Sequence, residues 1–446
     1  MKRIKWIYGI LLAVLTVLWF LAEQPWAQSY NFFQLRAVVV DYTGFIAMGA
    51  MSVAMILAIR PVTLEPWIGG LDKGYRLHKW MGITALSAGA VHWMWATWVK
   101  WAVGWGWLER PQRGPRPVIE NHLQQFFLEH RHLAEGIGEW TFYVAAILII
   151  LALIKWFPYR YFFKTHRFLA VAYLLMVFHS VFLIKFSHWT SFSPVAWVSL
   201  LLMAGGTVGA VLSLRRRIGY QRRALGVVES LEHGDGVLEV CIRLPRDHWE
   251  GHDAGQFAFV SFYGHNGEEA HPFTISSAWK NDGLLRFHVK GLGDHTARLP
   301  ETLKVGDCAK VEGPYGCFCF EGGNPRQTWV AGGIGITPFL ARLEELIHHG
   351  PAKGAVSLFY CVMNPDNAFV ENLEQLARKA GVALRVIVDG RDRRLDAESL
   401  CAEVPEWKDA SLWFCGPSGF GQALRQGLIS RGFEAKHFHQ ELFEMR

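Results

Sequence analysis

Two pairs of histidines, each within an apolar stretch, are the residues in this sequence best suited to carry chemistry. His78 and His92 lie fourteen residues apart, and His166 and His179 lie thirteen apart. Two facing helices with histidines at matched levels offer two imidazoles at each level. Two stacked b-type haems need this set of axial ligands. The spacing therefore predicts a two-haem site built from these four residues.

Helix geometry suits the first pair better than the second. Fourteen residues rise about 21 Å, which places one haem near each face of a hydrocarbon core about 30 Å thick. Fourteen residues return to within about 40° of the starting face, whereas thirteen miss it by about 140°. The second pair thus requires a local helix distortion or long side-chain reach. The alternative is four unrelated histidines bonded to backbone or to each other, although ionisable groups inside spans are costly and usually functional.

Composition divides the chain into an apolar half and a polar half. Hydrophobic residues fill 51% of the 446 positions, with 20 Trp and 30 Phe. Stretches long enough to cross a bilayer predict six transmembrane helices followed by a soluble half. The first stretch begins MKRIK and resembles a signal peptide, but we favour a retained span. The six stretches lie near residues 5–22, 37–59, 77–99, 138–157, 165–186 and 195–214.

Basic residues near the span ends predict the orientation. With the N-terminus in the cytoplasm, most basic residues lie on the cytoplasmic side as the positive-inside rule requires, although some, such as Arg36 and Arg131, lie on the other side. The third and fifth spans then run in the same direction, so His78 pairs with His166 at the inner level and His92 with His179 at the outer level. We expect an integral protein of a bacterial inner membrane with both termini in the cytoplasm. The cytoplasmic basic residues are Lys2, Arg3, Lys5, Arg60, Lys73, Arg76, Arg160, Lys164, Arg167, Arg215, Arg216, Arg217, Arg222 and Arg223.

Charge and cysteine content limit the classes of partner. The net charge of +6 needs no nucleic-acid partner, because juxtamembrane basic residues interact with anionic membrane lipid. The sequence shows no motif for DNA or RNA recognition. All seven cysteines lie in the soluble half, which suits a reducing cytoplasm and argues against structural disulfides. Their spacing does not fit a plant-type iron–sulfur cluster.

The soluble half shows two successive patterns. From about 219 to 322, short alternating segments with Gly-rich turns predict the antiparallel strands of a small β-barrel. From about 326 onward, apolar strands alternate with amphipathic helices, which predicts an α/β domain with a parallel sheet. We expect three domains, namely residues 1–217 in the membrane, 218–323 as the barrel and 324–446 as the α/β domain.

A glycine-rich motif in the last domain has the form of a nucleotide site. AGGIGITPFL, at 331–340, follows a strand and enters a helix, so its backbone can approach a pyrophosphate at the helix N-terminus. A tight turn with no ligand is the alternative, but CGPSGF follows some eighty residues later, at 415–420. The candidate contacts in the first motif are Gly332, Gly333, Gly335, Thr337 and Pro338.

Motifs in the barrel region carry a family resemblance. HPFTISS at 271–277, VKGLGDHTARL at 289–299 and GPYG at 313–316 resemble, in this order, the flavin-binding module of the ferredoxin-reductase superfamily. Most of that superfamily has Arg at the head of the first motif, where this chain has His271. That substitution, with the paired helix histidines, resembles the membrane-bound branch of ferric reductases and NADPH oxidases, particularly bacterial NADPH oxidases. The resemblance covers essentially the whole chain.

The resemblance implies FAD in the barrel and NADH or NADPH in the α/β domain. His271 would lie near the ribose or phosphates, with Thr274 and Ser276 near the flavin ring. A second phosphate-contacting loop would open the next helix, and Cys415 would lie beside the nicotinamide in a loop shaped by Gly416 and Pro417. The implied flavin contacts are His271, Pro272, Phe273, Thr274, Ile275, Ser276, Asp294, His295 and Thr296.

The C-terminal tail carries a further implied contact. The family tends to end on an aromatic ring that stacks on the flavin and moves aside for nicotinamide. Phe443 stands at that position, although the register also allows Phe438, and Glu441 matches the family's acidic residue before the ring. The alternative for Phe443 is a strand residue packed in the sheet.

The choice between NADH and NADPH rests on the residues after the second strand of the nucleotide domain. NADPH binding usually requires a basic residue there, to meet the 2′-phosphate. The segment from Phe359 to Phe369 has no Lys or Arg, which leans towards NADH or dual use. Arg391, Arg393 and Arg394, after the next strand, could supply the charge instead.

These observations together predict an electron path across the membrane. NAD(P)H would reduce FAD, FAD would pass single electrons to the inner haem, and the outer haem would reduce an external acceptor. We expect the acceptor to be oxygen. The alternatives are a ferric or cupric ion, or else a periplasmic protein or quinone. Ala96 stands where many family oxidases have a further histidine, which weakens the oxygen reading. A haemless flavin reductase is a further alternative.

The external segment 103–137, with Arg131 between His130 and His132, is an acceptor site or, more simply, a solvated loop.

Overall fold

The computed structural model describes residues 2–27, 30–109, 119–154, 156–190, 193–234, 236–263 and 270–441. These residues form two compact units, essentially those up to and those after residue 218.

The first unit is built from helices. Six of the described helices are 21 to 34 residues long, and two are single turns or little more. Asn31 and Asn121 begin two of the long ones, because each side chain accepts hydrogen bonds from the first free backbone N–H groups. The helices are α1 (Lys2–Glu23), α2 (Phe32–Ala58), α3 (Glu65–Ile68), α4 (Leu71–Gly104), α5 (His122–Leu153), α6 (Tyr159–Leu183), α7 (Phe186–Thr190) and α8 (Pro194–Leu214).

Five of the described helices are long and apolar enough to cross a membrane, namely α1, α2, α5, α6 and α8. The first unit is therefore a membrane domain. The third predicted span corresponds to α4, which is the longest helix at 34 residues but is less hydrophobic. Its many Gly, Ser, Thr, His and Trp residues dilute the aliphatic ones.

Small residues allow α8 to pack closely against its neighbours. A Cβ at Gly209 would lie 2.5 Å from the backbone oxygen of Met55 on α2. A Cβ at Gly206 would lie 2.1 Å from the hydroxyl of Tyr173 on α6, which is fully buried and contacts Ser52 at 2.9 Å. Close backbone approach of this kind is how helices associate in lipid, where no hydrophobic force drives them together.

The second unit begins with a closed antiparallel sheet. Its strand order is β4-β3-β6-β1-β2-β5, and a bridge between Ile275 and Phe287 joins the two edges. Alternate residues point into the core, among them Val240, Phe287 and Val311. The strands are β1 (Arg223–Gly234), β2 (Val237–Arg243), β3 (Phe257–Phe262), β4 (His271–Thr274), β5 (Leu284–Lys290) and β6 (Cys308–Tyr315), with α9 (Asp294–Thr302) after β5.

A parallel sheet of order β11-β10-β7-β8-β9 follows, with helices between its strands. Trp329, Phe414 and Leu358 lie in its buried strands. The strands are β7 (Arg326–Gly332), β8 (Val356–Val362), β9 (Ala383–Val388), β10 (Ala410–Cys415) and β11 (Phe438–Gln440). The helices are α10 (Thr337–His349), α11 (Asn367–Lys379), α12 (Ala397–Glu403) and α13 (Ser418–Ser430).

Candidate functional site

The four predicted ligand histidines come together in two pairs. The ring centres of His78 and His166 lie 5.8 Å apart, and those of His92 and His179 lie 6.3 Å apart. Two imidazoles on opposite sides of one metal are separated by about 6 Å, since each metal–nitrogen bond is about 2 Å and the ring centre lies about 1 Å further. Each pair therefore has a ring spacing at which one metal ion would fit between the two imidazoles.

Backbone carbonyls hold three of these rings in the form that binds metal. Nδ1 of His78 lies 2.9 Å from the oxygen of Ala54, and Nδ1 of His92 lies 2.9 Å from that of Val40, both on α2. Nδ1 of His179 lies 2.8 Å from the oxygen of Ala134 on α5. A carbonyl can only accept, so each Nδ1 carries the proton and each Nε2 keeps its lone pair. This arrangement is usual for histidines bound to metal.

His166 is held differently. Its Nδ1 is buried and has no hydrogen-bond partner among the described residues. Its ring stacks on Phe162, one helical turn earlier, at 4.9 Å and 24°. Packing rather than a hydrogen bond thus orients this ring.

The thirteen-residue step is accommodated by side-chain direction. Helix α6 continues without a break from Tyr159 to Leu183, through both histidines. The His179 ring lies over Gly138 of α5, where a Cβ would be only 2.0 Å from Nδ1. The absence of a side chain at Gly138 therefore gives His179 room to reach His92.

The predicted flavin residues surround the start of β4 and of α9. His271 stacks on His295 at 4.2 Å and 16°, so that HPFTIS and GDHT are adjacent. The hydroxyl of Thr296 accepts the backbone N–H groups of Leu292 and Gly293, which fixes the start of α9. Burial, and then the neighbouring His295, lower the pKa of His271 to about 4. The side chain of Asp294 lies outside the described residues.

The β4 segment presents its polar side chains away from the barrel core. Ile275 is fully buried in that core and Phe273 packs against it. Thr274 and Ser276 alternate with them and are also shielded from solvent, at 7% and 0% exposure. Pro272 pairs with Phe259 of β3 and lacks the N–H that a further strand would need. The two hydroxyls thus share one protected face.

The two nucleotide-domain motifs meet at the carboxyl ends of β7 and β10. These strands are neighbours, with Ala331 opposite Cys415. A Cβ at Gly335 would lie 2.2 Å from the oxygen of Cys415, and one at Gly332 would lie 2.8 Å from Pro417. Gly333 has a left-handed φ of 56° and faces open space, while Thr337 and Pro338 begin α10. Ligands of open parallel sheets bind at such a strand end.

Cys415 and Glu441 lie near each other at this edge. Cys415 is fully buried, and its burial, followed by the charge of Glu441, raises the pKa of the thiol well above its usual range. Cys415 is therefore a neutral thiol at neutral pH. Phe438 is packed in the sheet core, which argues against it as a mobile ring. Phe443 lies outside the described residues.

One sequence expectation is wrong. Residues 122–137 belong to α5 rather than to a loop, because the Asn121 cap starts the helix well before its apolar part. Arg131 pairs with Glu135 at 3.1 Å on this helix, and His130 packs on Phe126 at 4.3 Å. Residues 110–118 of the predicted external segment lie outside the described part of the chain.

A polar network beside the flavin motif escaped the sequence analysis. It runs from Ser276 through His288 and Glu239 to Arg286, and then to Glu344 on α10. The alternation in LLRFHVK, with Leu285 and Phe287 in the core, was the available signal that Arg286 and His288 face the other way.

Comparison with known proteins agrees with both units. A family model described as the ferric reductase like transmembrane component matches residues 43–177, and an FAD-binding domain model matches residues 227–318. Dual oxidase 2 of Sus scrofa is 29% identical over 226 residues, which cover 45% of this chain and 13% of the oxidase. These matches fit the superfamily of ferric reductases and NADPH oxidases.

Other relatives match a smaller part of the chain. Vanillate O-demethylase oxidoreductase of Pseudomonas putida is 31% identical over 180 residues, covering 40% of this chain and 51% of that protein. Flavohemoprotein of Oceanobacillus iheyensis is 25% identical over 154 residues, covering 32% and 38%. The chain thus spans about 38 to 53% of the first curated relatives it matches. Among solved structures, a cytochrome P450 reductase of Amycolatopsis superposes with a TM-score of 0.43 at 20% identity, over 50% of this chain and 70% of that one.

Proposed function

We propose that the chain is an NAD(P)H oxidoreductase that carries electrons through FAD and two b-type haems to an acceptor at the outer face of a membrane. The observation that carries this proposal is the two pairs of facing histidines on helices of a membrane domain. The ring centres lie 5.8 Å apart in one pair and 6.3 Å apart in the other. A reductase anchored in the membrane without haem would have no use for two such pairs.

The residues of the second unit suit nucleotide and flavin binding. FAD, when bound, supplies the change from two-electron to one-electron transfer. His271 and His295 would face its phosphates, and Thr274 and Ser276 its ring. The glycine loop at 332–335 and the Cys415 loop would hold NAD(P)H at the adjoining strand ends. In the membrane domain, the four histidines would each offer Nε2 to iron.

We propose molecular oxygen as the acceptor, with superoxide or peroxide as product. The similarity to dual oxidase 2 over 226 residues supports this choice. Reduction of ferric or cupric chelates is the second candidate, because the matching membrane-domain model is that of ferric reductases. We place the nucleotide sites in the cytoplasm of a bacterium, with the acceptor on the opposite side of the inner membrane.

The first experiment is anaerobic reduction of the purified protein by NADH or NADPH, followed by optical spectra. Wild type should show reduced bands of two haems per chain, and His92→Ala should lose about half of their amplitude. His132→Ala is the matched control, because His132 is an exposed histidine on α5. Normal flavin reduction without haem bands would refute the two-haem path.

Admission of acceptors then separates the candidate functions. Rapid reoxidation of the haem bands by air, with superoxide formed, supports the oxidase. Reoxidation by ferric chelate at a much higher rate than by air supports the reductase. Slow reoxidation by both would indicate an electron donor to a periplasmic protein or quinone instead.

A further inference from the structure

The two histidine pairs differ in the charges that surround them. The charges of Asp41 and Arg36, both on α2, are close enough to act on the His92 ring of the outer pair. In the inner pair, formed by His78 and His166, no acid, lysine or arginine among the described residues acts on either ring. A charge near a redox centre changes its reduction potential, so the outer pair is the one whose surroundings can tune it.

Asp41 lies in the segment of α2 that touches His92. Its neighbour Val40 accepts the hydrogen bond from Nδ1 of His92, at 2.9 Å. A Cβ at Gly44 would lie 3.0 Å from the same nitrogen. The carboxylate is therefore within one helical turn of two direct contacts to the ring.

The other charges at this level are held by partners of their own. Arg36 donates to the backbone oxygens of Trp95 and Ala96, at 2.9 and 2.7 Å, so its positive charge is fixed in place. Arg131 and Glu135, which lie near the second ring of the outer pair, form an ion pair at 3.1 Å and largely cancel. The balance of charge at the outer pair thus depends on how far Asp41 is neutralised.

A single lysine neutralises Asp41, and that lysine is shared. Nζ of Lys185, just after α6, lies 3.0 Å from Asp41 and 2.5 Å from Glu23, the last residue of α1. Of these three side chains, Asp41 is the one whose charge acts on the His92 ring. One ammonium group cannot fully offset two carboxylates, so part of the negative charge of Asp41 remains next to the ring.

We propose that Asp41, with Lys185 as its partner, sets the reduction potential of the outer haem and holds it low. This inference rests on the proposed function, which places iron between His92 and His179. A nearby carboxylate stabilises ferric over ferrous iron, because the ferric form carries one more positive charge. One electron passes from ferrous iron to the acceptor, and a lower potential makes the haem a stronger reductant of that acceptor.

The size of the effect follows from Coulomb's law. At the effective dielectric constant of a protein surface, a unit charge about 10 Å away changes an equilibrium constant about tenfold. A tenfold change corresponds to about 59 mV for one electron. The Asp41 and Lys185 side chains are 33% and 45% exposed, so dissolved salt should screen their charges and reduce the shift.

The test is a redox titration of the full-length protein with both haems, followed by absorbance. The component that is lost in His92→Ala belongs to the outer haem. We expect Asp41→Asn to raise the potential of that component by about 59 mV, for a tenfold change in equilibrium constant, and Lys185→Gln to lower it. The inner component should not move, and both shifts should shrink at about 1 M salt, where the screening length is about 3 Å.

Glu23→Gln is the matched control. Glu23 belongs to the same cluster and pairs with Lys185, but the charge that acts on the His92 ring is that of Asp41. This variant should shift the outer potential much less than Asp41→Asn does. Equal shifts in the two variants, or shifts that salt leaves unchanged, would show that loosened helix ends move the potential, and would overturn the charge effect.

The two variants of opposite sign keep the proposal open to refutation. An outer potential that falls or stays constant in Asp41→Asn would overturn it. If Asp41→Asn fails to hold the outer haem, Lys185→Gln decides, because a rise or no change in that variant contradicts the proposal. Wild-type protein without haem bands would refute the proposed function itself, which separates the two failures.

Discussion

Gly138 is the residue on which the outer histidine pair depends most directly. We expect Gly138→Ala to displace the His179 ring, because the new Cβ would lie 2.0 Å from Nδ1. The hydrogen bond to the Ala134 carbonyl would be lost and the outer haem released, while the inner haem stays. The haem content measured per chain should fall from two to about one, since loss of such a supporting contact weakens metal binding about 10- to 100-fold.

Gly136→Ala is the control for this experiment. Gly136 lies two residues away, about half a turn around the same helix, and nothing lies within 4 Å of a Cβ built there. It should retain both haems and gain slightly in helix propensity. Equal haem loss in the two variants would point to a general effect of alanine on α5 and would refute the steric argument.

Asp366 is the residue that should decide nicotinamide preference. It follows β8 and caps α11 through bonds from the backbone of Ala368 and Phe369. A carboxylate at this place suits a ribose 2′-hydroxyl and repels a 2′-phosphate. Each nearby arginine is already paired with an acid: Arg391 with Asp392, Arg393 with Glu398, and Arg394 with Asp389. We therefore expect a higher kcat/KM for NADH than for NADPH.

Asp366→Asn tests this preference without removing the cap, since Asn also caps helices well. The ratio of kcat/KM for NADPH to that for NADH should rise about fivefold, as expected for loss of one charge repulsion near the surface. Asp396→Asn, at the corresponding cap of α12, should leave the ratio unchanged. A wild-type preference for NADPH would show that the arginines or another group meet the phosphate.

At the scale of elements, the carboxylate of Glu344 joins α10 to the barrel. Glu344, one turn beyond the nucleotide motif, accepts from Arg286 at 2.7 Å and from the backbone N–H of Ala278 at 3.2 Å. Lys280 lies 3.6 Å away. These contacts join the helix that begins at the nucleotide loop to the segment that follows the flavin motif.

We expect Glu344→Gln to loosen that junction and to slow hydride transfer about tenfold at saturating NADH, with KM little changed. The neutral amide keeps the side-chain volume but loses the charge-assisted bonds. Stopped-flow flavin reduction measures the effect. Glu345→Gln is the matched control, because Glu345 pairs within α10 with Arg342. A large rise in KM without loss of the limiting rate would assign Glu344 to binding instead.

Hydropathy predicted the elements of the membrane domain better than their ends. The apolar part of α5 begins near residue 138, but the helix starts at His122. A hydropathy window cannot detect a helix that continues through Gln, Glu and His, whereas the Asn121 cap marks its true start. In the same way α4 continues at both ends beyond the expected 77–99. The pairing of the four histidines was predicted from the shared direction of the third and fifth spans. The role of Gly138 could not be predicted, because it requires knowledge of which helix lies beside α6.

At the scale of the whole molecule, the proposed path gives transport a direction. An electron that moves outward across a membrane with negative interior gains about 2.3 kcal/mol per 100 mV. In vesicles that enclose NADH and carry an impermeant acceptor outside, we expect faster acceptor reduction when the interior is made negative. Protein molecules inserted the other way round, with the soluble half outside the vesicle, should be reduced only by NADH added outside. No effect of potential would mean that both electron donor and acceptor lie on one side.

Sequence motifs predicted the nucleotide and flavin residues by family resemblance, yet several contacts depend on the tertiary fold. The approach of Gly335 to Cys415 follows from the adjacency of β7 and β10, which are far apart in sequence. The link from Ser276 to Glu344 likewise needs the barrel and the parallel sheet together. Neither spacing nor composition reveals such contacts, because they join segments that are distant in the sequence and meet only in the folded sheets.

Helix α2 carries none of the four paired histidines, but two of its backbone carbonyls set the spacing between two of them. The carbonyls of Val40 and Ala54, which meet His92 and His78, are fourteen residues apart, the same step that separates the two histidines. Because these acceptors are main-chain atoms, point substitutions at 40 and 54 leave them intact. A single-residue insertion midway along α2 shifts one carbonyl by about 1.5 Å and 100° relative to the other. The two histidine positions thus depend on the length of α2 between residues 40 and 54 more than on the side chains at these two residues.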